Sequence, residues 1–196
     1  MRGSVLWGAA LGAAVALCAP IRSAGATHTP REYLDDETAA TITVVDEPLV
    51  FAFARRDLAA NARDYATLAP AAVNRQGKIS YVLIVYFWST IDPRLRDDPA
   101  PDAQHPLLIA DDRQIELHLR GHDAHEAGIG VPVHAPPGVE STPEVYGTDL
   151  SVIRFIAESR QLTLRLEVGA STLDYELWED RRAALRAFVR HMNGED

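Results

Sequence analysis

The chain has 196 residues, of which 47% are hydrophobic and 24% charged, and its formal net charge is −9. These are ordinary values for a globular protein, and the length suits one domain with a sizeable core. Acidity of this size repels phosphate backbones, so nucleic acid is not an expected partner.

The N-terminus, MRGSVLWGAALGAAVALCAPIRSAGATHTP, has the form of a secretory signal. Arg2 gives a positive start, Val5 to Leu17 is an uncharged and mostly apolar stretch, and Ala24 and Ala26 supply the small-x-small pattern of a cleavage site. We expect cleavage after Ala26, leaving residues 1–26 as the signal peptide. The apolar stretch is short for a membrane span, which needs roughly 20 residues. No second run of that length follows, so no transmembrane span is expected in the mature chain. Loss of Arg2 and Arg22 makes that chain more acidic by two charges. Cys18 sits just after the apolar run, but bulky Leu17 precedes it where a lipid-attachment signal wants a small residue. A lipid anchor at Cys18 is therefore not the expected fate. Cys18 is the chain's one cysteine. Cleavage after Ala26 thus excludes disulfides, thiol catalysis and thiolate metal sites.

Residues 27–37, THTPREYLDDE, are polar without a clear period and read as a flexible leader. The alternative is a short strand or helix packed through Tyr33 and Leu34. TAATITVVD (38–46) and LVFAFA (49–54) are β-like. RRDLAANARD (55–64) has room for one helical turn, with Asp57 as a possible cap.

The clearest pair is residues 64–73 and 78–90 around the turn Asn74-Arg75-Gln76-Gly77, a hairpin. Val82 to Trp88 is apolar at every position. Side chains alternate faces along a strand, so this run must be covered on both. Pro70 lacks an amide donor, which points to an edge or a bulge in the partner strand.

DPRLRDDPAPDAQHP (92–106) is a surface loop; its aspartates could suit calcium, but their spacing matches no calcium loop. LLIADDRQIELHLRG (107–121) reads as a second hairpin turning at Asp111-Asp112. Its return strand alternates Ile115, Leu117 and Leu119 with Glu116, His118 and Arg120. AGIGVPVHAPPGVESTP (127–143) is another long loop, and long loops are where binding often occurs.

Thr148 or Asp149 can cap a helix over 150–158. QLTLRLEV (161–168) and STLDYELW (171–178) are two strands joined at Gly169-Ala170. EDRRAALRAFVRHMN (179–193) has the strongest helical pattern, with Ala184, Leu185, Phe188 and Val189 as its apolar stripe. The whole reads as a single α+β domain over 38–193. It is mostly antiparallel strands, as a sandwich or curled sheet, with a short helix and a packed C-terminal helix.

His118, His122, His125 and His134 are the candidate metal ligands, for zinc or copper. Against this, the spacing is not HExxH, His118 lies on a wet strand face, and His122 and His125 sit beside Asp123 and Glu126. An exposed loop with no cofactor is the favoured reading. No serine sits in GxSxG, Gly128-Ile129-Gly130 is too short for a dinucleotide fingerprint, and no phosphate loop is present. An enzyme of unrecognised type stays open, with no catalytic residue to name. Trp88 and Trp178 each end an apolar strand. They are either packing residues or an aromatic patch for a sugar or a partner. Arg181, Arg182, Arg186 and Arg190 make a basic stripe, either locally paired or a dock for an acidic partner.

VNRQGKISYVLIVYFWSTID (73–92) and LDYELWEDRRAALRAFVRH (173–191) resemble uncharacterised exported proteins of Gram-negative bacteria. The resemblance implies export to the periplasm or beyond and no known activity. Some of those proteins are lipoproteins with a small residue before the cysteine, and Leu17 departs from that. The expected function is a non-enzymatic, envelope-associated domain that binds a protein or envelope component through its long loops or an uncovered sheet edge. The alternative is a metal-binding protein using the four histidines.

Overall fold

A computed structural model describes residues 28–92, 106–138, 141–168 and 171–195. The signal segment, Cys18, the body of the 92–106 loop and the Gly169-Ala170 turn lie outside the described residues.

Eleven strands form one antiparallel sheet. They are β1 (Arg31–Asp35), β2 (Ala40–Val44), β3 (Leu49–Ala54), β4 (Arg63–Arg75), β5 (Lys78–Ser89), β6 (Leu107–Ala110), β7 (Arg113–Glu116), β8 (His118–Gly121), β9 (Pro143–Thr148), β10 (Leu162–Val168) and β11 (Ser171–Glu179). Two helices, α1 (Leu150–Glu158) and α2 (Arg182–Met192), complete the chain. The fold is α+β, with a curled sheet rather than a two-sheet sandwich.

The main order is β7-β6-β10-β11-β3-β4-β5-β9-β8. Its two ends are consecutive in the chain, separated by Leu117 alone. The segment expected as one return strand, 113–121, therefore splits: β7 pairs with β6, whereas β8 pairs with β9 at the far end of the sheet. That crossing almost closes the sheet on itself. Period-2 alternation reports which face a residue occupies, not which strand it joins, so the split left no mark in the pattern.

The β4–β5 hairpin runs from Asp64 opposite Ser89 to Arg75 opposite Lys78. Its loop is two residues, Gln76 at φ 54 and Gly77 at φ 83, held by the Gly77 amide donating to Asn74 Oδ1 at 2.9 Å. Two positive φ values match the right-handed twist of the flanking strands. The expectation that Pro70 marks an edge or bulge is corrected, because β4 is central. Its first half pairs with β3 up to Leu68, and its second half pairs with β2 from Ala71 onward. Pro70 falls at that changeover. Its carbonyl accepts from the Val45 amide at 3.3 Å, so the missing N–H faces the gap between β2 and β3.

Both faces of β5 are covered, as its unbroken apolar run requires. Leu83 and Val85 join the inner core with Leu49, Phe51, Leu68, Tyr146, Leu164 and Tyr175. Val82, Ile84 and Tyr86 join a second, outer core with Ile42, Val73 and Val145. β9 and β11 run in the same direction, four antiparallel steps apart, so the helices that follow them emerge at one end of the curl. There α1 and α2 pack together, and Ile153, Ile156, Leu185 and Phe188 enter the inner core. The stripe Ala184, Leu185, Phe188 and Val189 is buried as the helical spacing requires.

Two further expectations change. Residues 31–35 are not a flexible leader but the edge strand β1, paired along its length with β2. Residues 55–62 hold one helical turn, with the Leu58 and Ala59 amides donating to the Arg55 carbonyl. Asp57 does not cap it; it holds the Arg55 guanidinium, which also reaches buried Asp64.

Candidate functional site

The segment 118–138 divides its residues by polarity. His122, Asp123, His125 and Glu126 face water, while Ala124, Ile129 and Val133 lie on the outer face of β2, β4, β5 and β9. The long loop is thus a cover for the second core. It is pinned by Asp35, which is buried at the end of β1 and accepts from the Gly130 amide as well as from Glu37 N and Thr38 N. A Cβ at Gly130 would lie 2.9 Å from Asp35 Oδ1 and 2.6 Å from Glu37 Oε2, so this close approach needs glycine. The Gly130 amide is the largest of the influences that hold the Asp35 carboxyl below its ordinary range, against the opposing pull of burial.

The structure does not gather the four candidate metal ligands. His118 stands exposed at the start of β8, and His122 faces solvent after that strand. His125 Nε2 lies 3.4 Å from Glu37 Oε1. His134 turns the other way, its Nε2 2.8 Å from the Val45 carbonyl. Among the described residues no group of three or more His, Cys, Asp or Glu side chains converges on a common point.

Cross-strand partners share a face of the sheet. One outer row runs Glu176 (β11), Ala52 (β3), Tyr65 (β4), Trp88 (β5). The next runs Glu179, Val50, Thr67, Tyr86. The register of β11 slips between Leu177 and Glu179, which makes Trp178 the extra residue of a bulge. Bulges re-aim side chains. Here Leu177 stays with the inner core while Trp178 emerges on the outer face, 53% exposed.

The two tryptophans that end apolar strands therefore meet on one surface. On one side Tyr65 and Trp88 stack, with ring centroids 4.4 Å apart and 15° between planes. On the other stands Trp178. Between them the floor is small: Val50, Ala52 and Ala54 of β3. Two strand spacings make this trough about 10 Å wide. Arg63, paired with Ala54, reaches across it and lies 4.6 Å from the centre of the Trp178 ring.

The polar groups beside the trough are of two kinds. Asp174 is bound by Arg165 at 2.6 Å, which holds its carboxyl below the ordinary range, and Glu179 is paired with Arg181. Glu176 carries no hydrogen bond or ion pair among the described residues. On the adjoining row, Thr67 Oγ1 and Tyr86 OH are buried without a partner, as is Trp88 Nε1. Dry, unpaired polar atoms are costly, so three on one patch of sheet stand out. Burial raises the Tyr86 phenol, with Asp123 adding to it.

Other concave features are shallower in meaning. Grooves of about 370 and 510 Å³ flank the crossing at Leu117, and Gln114, Glu116 and His118 line both. A cleft of about 370 Å³ between the helices is lined by Arg154, Arg186 and Arg190 with Glu158 and Glu195. The basic stripe is mostly engaged locally. Arg181 pairs with Glu179, Arg182 with Asp180, and Arg186 Nη1 donates to the Ala157 carbonyl at 2.9 Å. No helix of the described residues is long and apolar enough to cross a membrane.

Sequence patterns missed the trough because they place Trp88 and Trp178 ninety residues apart. The strand order β11-β3-β4-β5 brings them together, and the bulge turns Trp178 outward. Comparison with known protein families, curated proteins and solved structures finds no match.

Proposed function

We propose that the chain is an exported, non-enzymatic binding domain of the bacterial envelope, and that its ligand lies in the trough between Trp178 and the Tyr65–Trp88 pair. One observation carries this reading: a register slip in β11 places an exposed tryptophan opposite a stacked aromatic pair, across a floor of small side chains. A bulge that served packing alone would turn the indole inward. Large rigid rings with few rotatable bonds give contact area at low entropic cost, which is what a recognition surface needs. The chemistry around them, one unpaired carboxylate and one guanidinium, suits orienting a ligand. Export is supported by the N-terminal pattern of Arg2, the apolar stretch to Leu17 and Ala24-x-Ala26.

The test is co-sedimentation with isolated cell envelopes. The protein is expected to pellet with them, and Trp178→Ala and Tyr65→Ala each to lower the bound fraction at least fivefold. A parent protein that stays in the supernatant, or variants that pellet equally, would refute the reading.

A further inference from the structure

We infer that the trough takes a neutral oligosaccharide, with pyranose rings laid against the aromatic side chains. This rests on the reading of the trough as the binding site and goes beyond it by naming the ligand class.

A pyranose presents two kinds of surface. Its axial C–H bonds make a flat, weakly apolar face, and its equatorial hydroxyls, each both donor and acceptor, ring the edge. The trough offers the complement of both. Trp178 is more than half exposed, and Arg63 covers one face of its indole, leaving the ring as a platform for C–H contact. Two planar polar groups flank the Ala52 floor. The Glu176 carboxylate only accepts, and the Arg63 guanidinium only donates. Each is bidentate, and each has the spacing to engage two neighbouring hydroxyls. Thr67, on the next row, is 7% exposed, and its hydroxyl has no partner.

Charge selects among the alternatives. Asp174, Glu176 and Glu179 stand along one wall, on a chain whose formal charge is −9. The one guanidinium reaching into the trough is already stacked on Trp178. A phosphate, sulfate or uronate chain would meet more negative charge than positive. An acidic peptide meets the same repulsion. The floor also leaves no room for large apolar side chains to sink, because Val50, Ala52 and Ala54 lie on a continuous sheet. A flat, uncharged, hydroxyl-rich chain fits where these do not.

The chain has three tryptophans, and two of them are at the trough. Full-length protein carrying Trp7→Phe thus has an emission spectrum that reports the site alone. It is titrated with cellohexaose, maltohexaose and chitohexaose. At least one is expected to shift the emission saturably. The affinity should fall at least tenfold in Glu176→Ala, read from the same two indoles, and stay within twofold in Arg190→Ala on α2. Glu176 is exposed and unpaired, so its variant keeps the fold. No saturable shift with any of the three, or equal affinity in Glu176→Ala, overturns the assignment to sugars. If envelope binding still depends on Trp178 in that case, the trough remains the site and only the ligand class fails. If envelope binding is also independent of Trp178, both readings fail.

Discussion

Arg63 and Trp178 meet across an intervening strand: the guanidinium on β4 lies 4.6 Å from the centre of an indole on β11, above Ala52 and Ala54 of β3. Alanine at those two positions is what allows the reach. Arg63→Ala should lower stability only slightly, by about 0.5–1 kcal/mol for an exposed cation–π contact. It should also bare the second face of Trp178 and move the tryptophan emission to longer wavelength. A urea titration followed by fluorescence checks both, and an unchanged emission maximum would contradict the contact.

Tyr86 buries its hydroxyl without a partner. Removing such a group relieves a desolvation cost without losing a bond. Tyr86→Phe is expected to keep or raise the urea midpoint, by up to about 1–2 kcal/mol in stability. A loss of more than 1 kcal/mol would show that the hydroxyl is bonded after all.

Asp35 ties the loop over the outer core to the β1 end through Gly130. Its folded pKa is depressed, chiefly by the Gly130 amide. The linked stability is therefore present above the unfolded value of about 3.9 and is lost as pH falls through the folded pKa. Asp35→Asn should reduce stability at pH 7 and flatten its fall below about pH 4. It should also speed hydrogen exchange at the Gly130 amide. Exchange as slow as in the parent would sink this account of the pin.

The histidines separate into two kinds. His118, His122 and His125 are exposed, so their triple alanine variant should stay within about 0.5 kcal/mol of the parent and bind zinc no differently on titration. His134→Ala breaks the 2.8 Å contact with the Val45 carbonyl and should cost about 1 kcal/mol. Stoichiometric zinc in the parent, lost in the triple variant, would restore the metal reading.

Local chemistry was legible in the sequence where it decides structure locally. Asn74 and Gly77 announced the tight turn, the apolar run 82–88 announced a strand covered on both faces, and the stripe on 184–189 announced a packed helix. What depends on pairing was not legible. Pro70 looked like an edge residue because nothing local shows that β2 hands over to β3 beside it. Residues 113–121 looked like one strand because alternation is the same on either side of Leu117. The 127–143 loop looked open, although Ile129 and Val133 are core residues. The β9 strand, Pro143–Thr148, was missed altogether, being short and begun by a proline. The trough belongs to this second group, since its walls come from β4, β5 and β11 and its key ring is exposed by a bulge.

The central claim is that this trough is where the protein meets its ligand in the cell envelope. The most direct measurement is site-specific photo-crosslinking in intact cells. A photoreactive phenylalanine analogue replaces Glu176 in one strain and Glu158 on α1 in another. The account predicts a discrete adduct from position 176 that disappears when Trp178→Ala is added, and none from position 158. Adducts from position 158 alone, or adducts from 176 that survive Trp178→Ala, would contradict it.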